Sequence, residues 1–373
     1  MFESATRRGG AIATVPTVSR PEIRTVDTDE LGQVGLLGRL AFGGADRPTT
    51  DETSAIEPED TVVAVVDGRV VGMVNSHRFT QTFGGRPVPC AGVAGVVVAP
   101  DQRGTGLGRA MLAEATSRAR RDGRVLGALF PTASPLYRSI GYEVAGWWHR
   151  AAIGIADLPR PDGTLTWEAT AQDDPAVAAV VAAGAAHRDG WVVPPTRWWS
   201  ARAARTPAAG APPWTWVARR DGEPVAAVVY DQERTGLDRG LYDLAVDVLA
   251  GVDHAALVQA LAFLGGHGTT VDRVRTTLPP AVLARLLPGS SRPSVVQDWP
   301  WMLRIHDLPA AIAARGWPAG VTVDVDLAVT PPTHDPDDPV AGRWCLSVAD
   351  GAARCTPGSD GAVTVAAGDL AAV

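Results

Sequence analysis

Residues 96–109 read Val-Val-Val-Ala-Pro-Asp-Gln-Arg-Gly-Thr-Gly-Leu-Gly-Arg, an apolar strand-like run that passes through three glycines into a helix-forming segment. That order suits the capture of an anion. The first N–H groups of a helix lack intrahelical acceptors, and the helix dipole leaves partial positive charge beside them. A pyrophosphate accepts those donors. Gly104, Gly106 and Gly108 permit positive φ and close approach of a ligand to the backbone, and Arg103 adds a charge-assisted contact. Gly-rich turns between strand and helix also serve nucleotides and dinucleotides, so a GxGxxG spacing alone is weak evidence. No Lys-Ser/Thr pair closes this loop, which disfavours a nucleoside triphosphate.

The loop Gln102-Arg103-Gly104-Thr105-Gly106-Leu107-Gly108 and the strand before it resemble the Q/R-x-x-G-x-G/A loop and its strand in the GCN5-related N-acetyltransferases (GNAT). A second resemblance lies in Leu136-Tyr137-Arg138-Ser139-Ile140-Gly141-Tyr142-Glu143, which matches the recurrent L/FY-x-x-x-GF/Y of that superfamily. The likeness implies that Tyr137 faces a thioester sulfur. When an amine attacks a thioester a thiolate leaves, and a phenol of pKa about 10 can protonate it as general acid. Tyr137 is therefore the candidate catalytic residue, and Tyr142 is read as packing. By the same resemblance Val96, Val97, Val98, Arg103, Gly104, Thr105, Gly106, Leu107, Gly108, Arg109 and Thr132 are expected to bind acetyl-CoA. A backbone N–H of the Val96-Val97-Val98 strand is expected to stabilise the oxyanion.

The surrounding elements must place these residues. Apolar positions in 31–42 have helical spacing and end at the breaker Gly43-Gly44. Residues 61–66 and 70–74, joined by Asp67-Gly68, read as a hairpin. Residues 88–98 form a strand, 107–119 a helix with Leu107, Ala110, Met111 and Ala115 on one face, and 125–130 a strand. This is the order of a parallel pair around a crossover helix. Near Trp147 the order begins again: helix 176–185, strands 214–217 and 225–230, strand 241–249, helix 254–264 and strand 271–276. Between that strand and helix stands only Ala250-Gly251-Val252-Asp253, so the second unit reads as a duplicate without the phosphate loop. A proline-rich stretch at 279–293 leads to a third section with a helix at 308–314, a strand at 321–329, a loop at 331–339 and strands at 343–348, 352–356 and 362–365.

At 373 residues, 46% apolar and 20% charged, the chain is long enough for two or three cores. A net charge of −7 without a basic stripe argues against nucleic acid. No apolar run reaches membrane-spanning length. Three scattered cysteines (Cys90, Cys345, Cys355) form no CxxC pair, pointing to a reducing, cytoplasmic setting. Arg7-Arg8 precede no secretory core, and residues 1–20 read as a flexible tail. Seven histidines show no ligand spacing, so no metal is expected.

The whole layout resembles the enhanced intracellular survival (Eis) family. The passages that carry this are Val98-Ala99-Pro100 with its loop, Leu136 to Tyr142, residues 301–316 (Trp-Met-Leu-Arg-Ile-His-Asp-Leu-Pro-Ala-Ala-Ile-Ala-Ala-Arg-Gly) and Asp350-Gly-Ala-Ala-Arg-Cys-Thr-Pro357. The family implies an α/β (α+β) architecture: a catalytic GNAT domain at 21–146, a degenerate second one at 147–300 and a sterol-carrier-protein-2-like domain at 301–373. It also implies acetyl-CoA, a small-molecule amine acceptor such as an aminoglycoside or polyamine, and a homo-oligomer, typically a hexamer; the alternatives are a protein lysine as acceptor, or a non-catalytic ligand-binding or regulatory protein that uses the sterol-carrier-like domain. Two departures stand out. Family members fold a C-terminal carboxylate into the site as general base, whereas by that pattern residues 301–373 lack the last strand and helix. The base is then a missing tail, a water or another group, and Val373 is not assigned. Consecutive arginines often follow in the family loop, but Arg103 precedes Gly104, which shifts the load onto backbone donors. Phe42, in the first helix, and Phe83, in the loop before the 88–98 strand, are expected to face the acceptor. Twelve tryptophans, with pairs at 147–148 and 198–199, are read mainly as core or interface.

Overall fold

The protein is described by a computed structural model covering residues 20–43, 57–203, 213–234, 241–358 and 363–372. Residues 1–19 of the expected tail and Val373 lie outside the described residues. The first unit comprises β1 (Glu22–Thr25), α1 (Leu31–Phe42), β2 (Thr61–Val66), β3 (Arg69–Phe83), β4 (Arg86–Val98), α2 (Leu107–Arg121), β5 (Leu126–Leu129), α3 (Ser134–Arg138) and β6 (Glu143–Gly154). Then follow β7 (Thr166–Ala169), α4 (Pro175–Ala185), β8 (Val192–Val193), α5 (Thr196–Ala203), β9 (Trp214–Arg220), β10 (Glu223–Arg234), β11 (Tyr242–Gly251), α6 (His254–Gly265), β12 (Val271–Thr276), α7 (Pro280–Leu286) and β13 (Ser294–Ile305). The last section holds α8 (Leu308–Ala314), β14 (Val323–Thr330), β15 (Gly342–Ala349), β16 (Ala352–Pro357), β17 (Val363–Ala366) and α9 (Ala367–Ala372).

Both units share one mixed sheet, ordered β1-β2-β3-β4-β5-β13-β6-β12-β11-β10-β9-β7, with β8 paired to β3. The hairpin at Asp67-Gly68 forms as the sequence predicts, with φ of 49° and 75°. These are the left-handed values a two-residue turn needs to follow the strand twist. Helix α2 buries Leu107, Met111, Leu112 and Ala115, while Ala110, expected on that face, is exposed. Close packing marks a neighbouring glycine: a Cβ at Gly72 would stand 2.6 Å from Met111 Cε, so a larger residue there would push the Met111 side chain aside.

Three features differ from the sequence expectation. Strand β3 runs 15 residues to Phe83, well past Val74, so Phe83 ends a strand instead of sitting in a loop. Its polar second half (Asn75, Ser76, His77, Arg78) hides the strand in the sequence, yet β4 pairs with it along its length and β8 adds a partner at Thr80 and Gln81. Strand β6 crosses the expected boundary at 146/147, and β13 crosses the one at 300/301. Above all, β13 inserts between β5 and β6, antiparallel to both. The first unit thus receives its last strand only after the entire second unit has been built.

The third section packs a four-stranded sheet, β16-β15-β14-β17, against the first unit. Its inner face (Leu327, Val329, Cys355) shares one apolar core with Val88, Cys90 and Leu126 of β4 and β5 and with Leu303 and Ile305 of β13.

Candidate active site

Strands β4 and β5 pair in parallel only from Cys90↔Leu126 to Gly92↔Ala128. Beyond that point β4 continues to Val98 while β5 stops at Leu129, so the edge of β4 from Val93 onward has no β5 partner. A bulge lies in the same stretch: Met73 pairs with Val97 but Asn75 with Ala94, and Gly95 takes φ 58°. Bulges kink a strand and free a residue from the ladder. Val96, Val97 and Val98 therefore border an opening in the sheet.

Beyond Val98, residues 100–102 make one 3-10 turn and the loop follows. Gly104 (φ 79°) and Gly106 (φ 84°) are both left-handed, and a Cβ at either would meet no protein atom within 4 Å. The protein itself therefore does not need these positions small for packing. Gly106 is the N-cap of α2 and supplies no side-chain acceptor, leaving the first N–H groups of the helix turned outward. Gly108 differs, since its Cβ would touch Val98 Cγ2 at 3.5 Å. The loop is shaped locally: the Thr105 hydroxyl donates to the Gln102 carbonyl at 2.8 Å, and Arg103 Nε donates to the Val98 carbonyl at 3.3 Å. Sequence reasoning missed the Arg69–Asp101 ion pair at its root, where Arg69 holds the Asp101 carboxyl below the usual carboxylate range. On the first turn of α2, the buried Nε of Arg109 has no hydrogen-bond partner.

Across the opening, Thr132 follows β5 and leads into α3. Tyr137 of α3 is 4% exposed. Burial raises its phenol pKa, and a hydrogen bond with the Thr132 side chain partly offsets the effect. Tyr142 is fully buried and meets Tyr137 edge-on, with ring centroids 6.1 Å apart. The two aromatic acceptor candidates fall in different environments. Phe42, at the end of α1, is 62% exposed, whereas Phe83 packs against the core shared with the third section. Of the tryptophans, Trp148 stacks on Trp299 across β6 and β13, and Trp198 meets Trp199 edge-on.

Residues 22–145 and 190–305 each match an acetyltransferase (GNAT) domain family. The N-acetyltransferase Eis of Mycobacterium tuberculosis is 29% identical over 334 residues, covering 85% of this chain and 79% of that protein. The chain belongs to the GCN5-related N-acetyltransferases, with two such domains in tandem, and is similar to the Eis enzymes. Two solved structures share its fold. A GCN5-related N-acetyltransferase from Anabaena variabilis superposes with a TM-score of 0.84 at 24% identity, over 95% of this chain and 89% of that one. Eis1 from Mycobacterium abscessus gives 0.76 at 21%, over 95% and 89%.

With two GNAT domains the protein is an acyltransferase, and GNAT acetyltransferases use acetyl-CoA. The first unit fits a ligand carrying a diphosphate: open space lies over Gly104 and Gly106, and the start of α2 has no cap of its own. The second unit does not. There Asp253 caps α6, accepting the Ala256 N–H at 2.7 Å and an Arg220 hydrogen bond at 2.8 Å. A carboxylate of the chain already answers the helix dipole. A Cβ at Gly251 would lie 2.6 Å from the Leu257 nitrogen, so the strand end is pressed onto the helix. Among the described residues no cluster of three or more His, Cys, Asp or Glu could hold a metal, and no helix is long and apolar enough to cross a membrane.

Proposed function

We propose that this acyltransferase moves an acetyl group from acetyl-CoA to a primary amine of an aminoglycoside or a similar polyamine-like molecule. One observation carries the reading: an uncapped helix start behind two left-handed glycines faces the sheet opening, and a buried phenol follows on the next strand-to-helix turn. Acetyl-CoA supplies an activated acyl thioester. The N–H groups of residues 103–109 and the Arg103 and Arg109 side chains hold its diphosphate. A backbone N–H of the Val96-Val97-Val98 strand, beside the bulge, orients the thioester carbonyl and stabilises the developing oxyanion. Tyr137 donates its phenolic proton to the departing sulfur, and Thr132 fixes that hydroxyl. A water or another group of the chain takes the proton of the amine. Phe42 lies at the acceptor side, and Phe83 supports that wall from behind. The partition at 146/147 and 300/301, a sterol-carrier-like third domain, a hexamer and a cytoplasmic location belong to the same proposal.

An acceptor screen with thiol-release detection tests it. Aminoglycosides and polyamines are expected to release coenzyme A above the hydrolysis background. Turnover confined to lysine peptides would transfer the activity to proteins, and no turnover with any amine would sink the reading.

Stoichiometry gives a second check. Because Asp253 occupies the start of α6, calorimetry is expected to find one coenzyme A per chain. Two equivalent sites would contradict the closed second unit.

A further inference from the structure

The turn that follows Tyr137 is held from outside its own unit. Helix α3 ends at Arg138, and the chain reverses through Ser139, Ile140 and Gly141, with Gly141 at φ 90°. The N–H of Tyr142 then donates back to the Tyr137 carbonyl at 3.1 Å. The loop between β14 and β15 lies on this turn. Its His334 N–H donates to the Ser139 carbonyl at 2.9 Å, and a Cβ on Gly141 would stand 2.9 Å from Pro332 Cγ.

Beneath that contact sits Arg304 of β13, only 3% exposed. Its Nη2 donates to Asp335 at 2.7 Å and to Asp338 at 3.1 Å. The other oxygen of Asp338 accepts the Val340 N–H at 2.9 Å, which ties the carboxylate to its own loop. A buried ion pair adds little net stability, because desolvation cancels most of the attraction; its best-attested use is to fix one arrangement among several. Here the arrangement fixed is that of the third section on the segment bearing Tyr137.

We propose that Arg304, Asp335 and Asp338 form a latch through which the third section sets the position of the Tyr137 hydroxyl. They are positioning residues, acting through Tyr137, and the proposal rests on the reading of Tyr137 as the acid. Geometry at a reacting group is steeply rewarded, so a slackened turn costs rate while leaving the cofactor loop on α2 untouched.

A double-mutant cycle separates this from a merely structural role. Asp338→Asn keeps the shape of the side chain and removes its charge. It is expected to lower kcat about tenfold while KM for acetyl-CoA stays within about twofold. Asp337→Asn, an exposed neighbour in the same loop, serves as the control and should leave kcat unchanged. In a Tyr137→Phe background the Asp338→Asn change should cost nothing further, because the group it positions is gone. If the two losses multiply, or if Asp338→Asn alone leaves kcat intact, the latch is refuted while the acid role stands. A Tyr137→Phe enzyme near wild-type rate would instead remove the acid role and the latch with it. Should Asp338→Asn fail to fold, Asp335→Asn runs the same cycle, since it cuts the more exposed arm and leaves Asp338 on Arg304.

Discussion

Replacing Tyr137 with phenylalanine is expected to lower kcat about 100-fold, the usual contribution of a general acid, with little change in KM for acetyl-CoA. The substitution removes one oxygen from a ring that is otherwise packed in the first core, so the fold should survive. A kcat within about threefold of wild type would take the acid role away from Tyr137. Burial raises the phenol pKa, which fixes the sign of the pH dependence. The acid form persists above the pH at which a free tyrosine ionises, so the basic limb of the kcat profile should lie above about pH 10. It should vanish in the phenylalanine variant. The same shift means that the unfolded chain ionises first, so this group's share of stability is present below about pH 10 and is lost as the pH rises toward the folded pKa.

The second large effect belongs to Gly106. Gly106→Ala places a Cβ at φ 84°, where the protein offers no clash within 4 Å. The backbone strain of a left-handed alanine is about 1–2 kcal/mol, so the melting temperature should fall by only a few degrees. On the proposed reading, that methyl group stands where the diphosphate approaches the first N–H groups of α2. Acetyl-CoA affinity is therefore expected to drop by about one to two orders of magnitude, which calorimetry would read directly as about 1.4–2.8 kcal/mol. An unchanged affinity with a lowered melting temperature would reduce Gly106 to a turn requirement and move the cofactor elsewhere. Gly108 makes a useful contrast, since its φ is not left-handed and a Cβ there would meet Val98 only at ordinary contact distance.

Both predictions concern residues whose order in the chain already carries their geometry. A glycine that must be left-handed, an uncapped helix start and a tyrosine four residues ahead of a glycine are set by contacts within one turn of backbone. Hence the loop at 103–108, helix α2 and the Leu136-to-Tyr142 segment could be read before any fold was known. The same holds for the missing phosphate loop of the second unit, although the sequence did not reveal that Asp253 itself fills the role of the anion.

The proposed acceptor side was harder to read. Phe83 looked like a loop residue because the second half of β3 is polar, and polar residues carry no periodic signal when their partners come from β8, more than a hundred residues away. The burial of Phe83 against the third section depends on where that section docks, and no local pattern encodes docking.

What the chain determined by itself, then, was the chemistry-bearing loop, its helix and the phenol, because short-range sterics and hydrogen bonding decide them. Only the tertiary structure decided that β13 completes the first unit from beyond the second, and that Arg304 holds the loop whose His334 bonds the turn after Tyr137. Those pairings join residues more than 150 positions apart in one case and about 30 in the other. They are selected by the shape and burial of the assembled sheet, which no window of sequence contains.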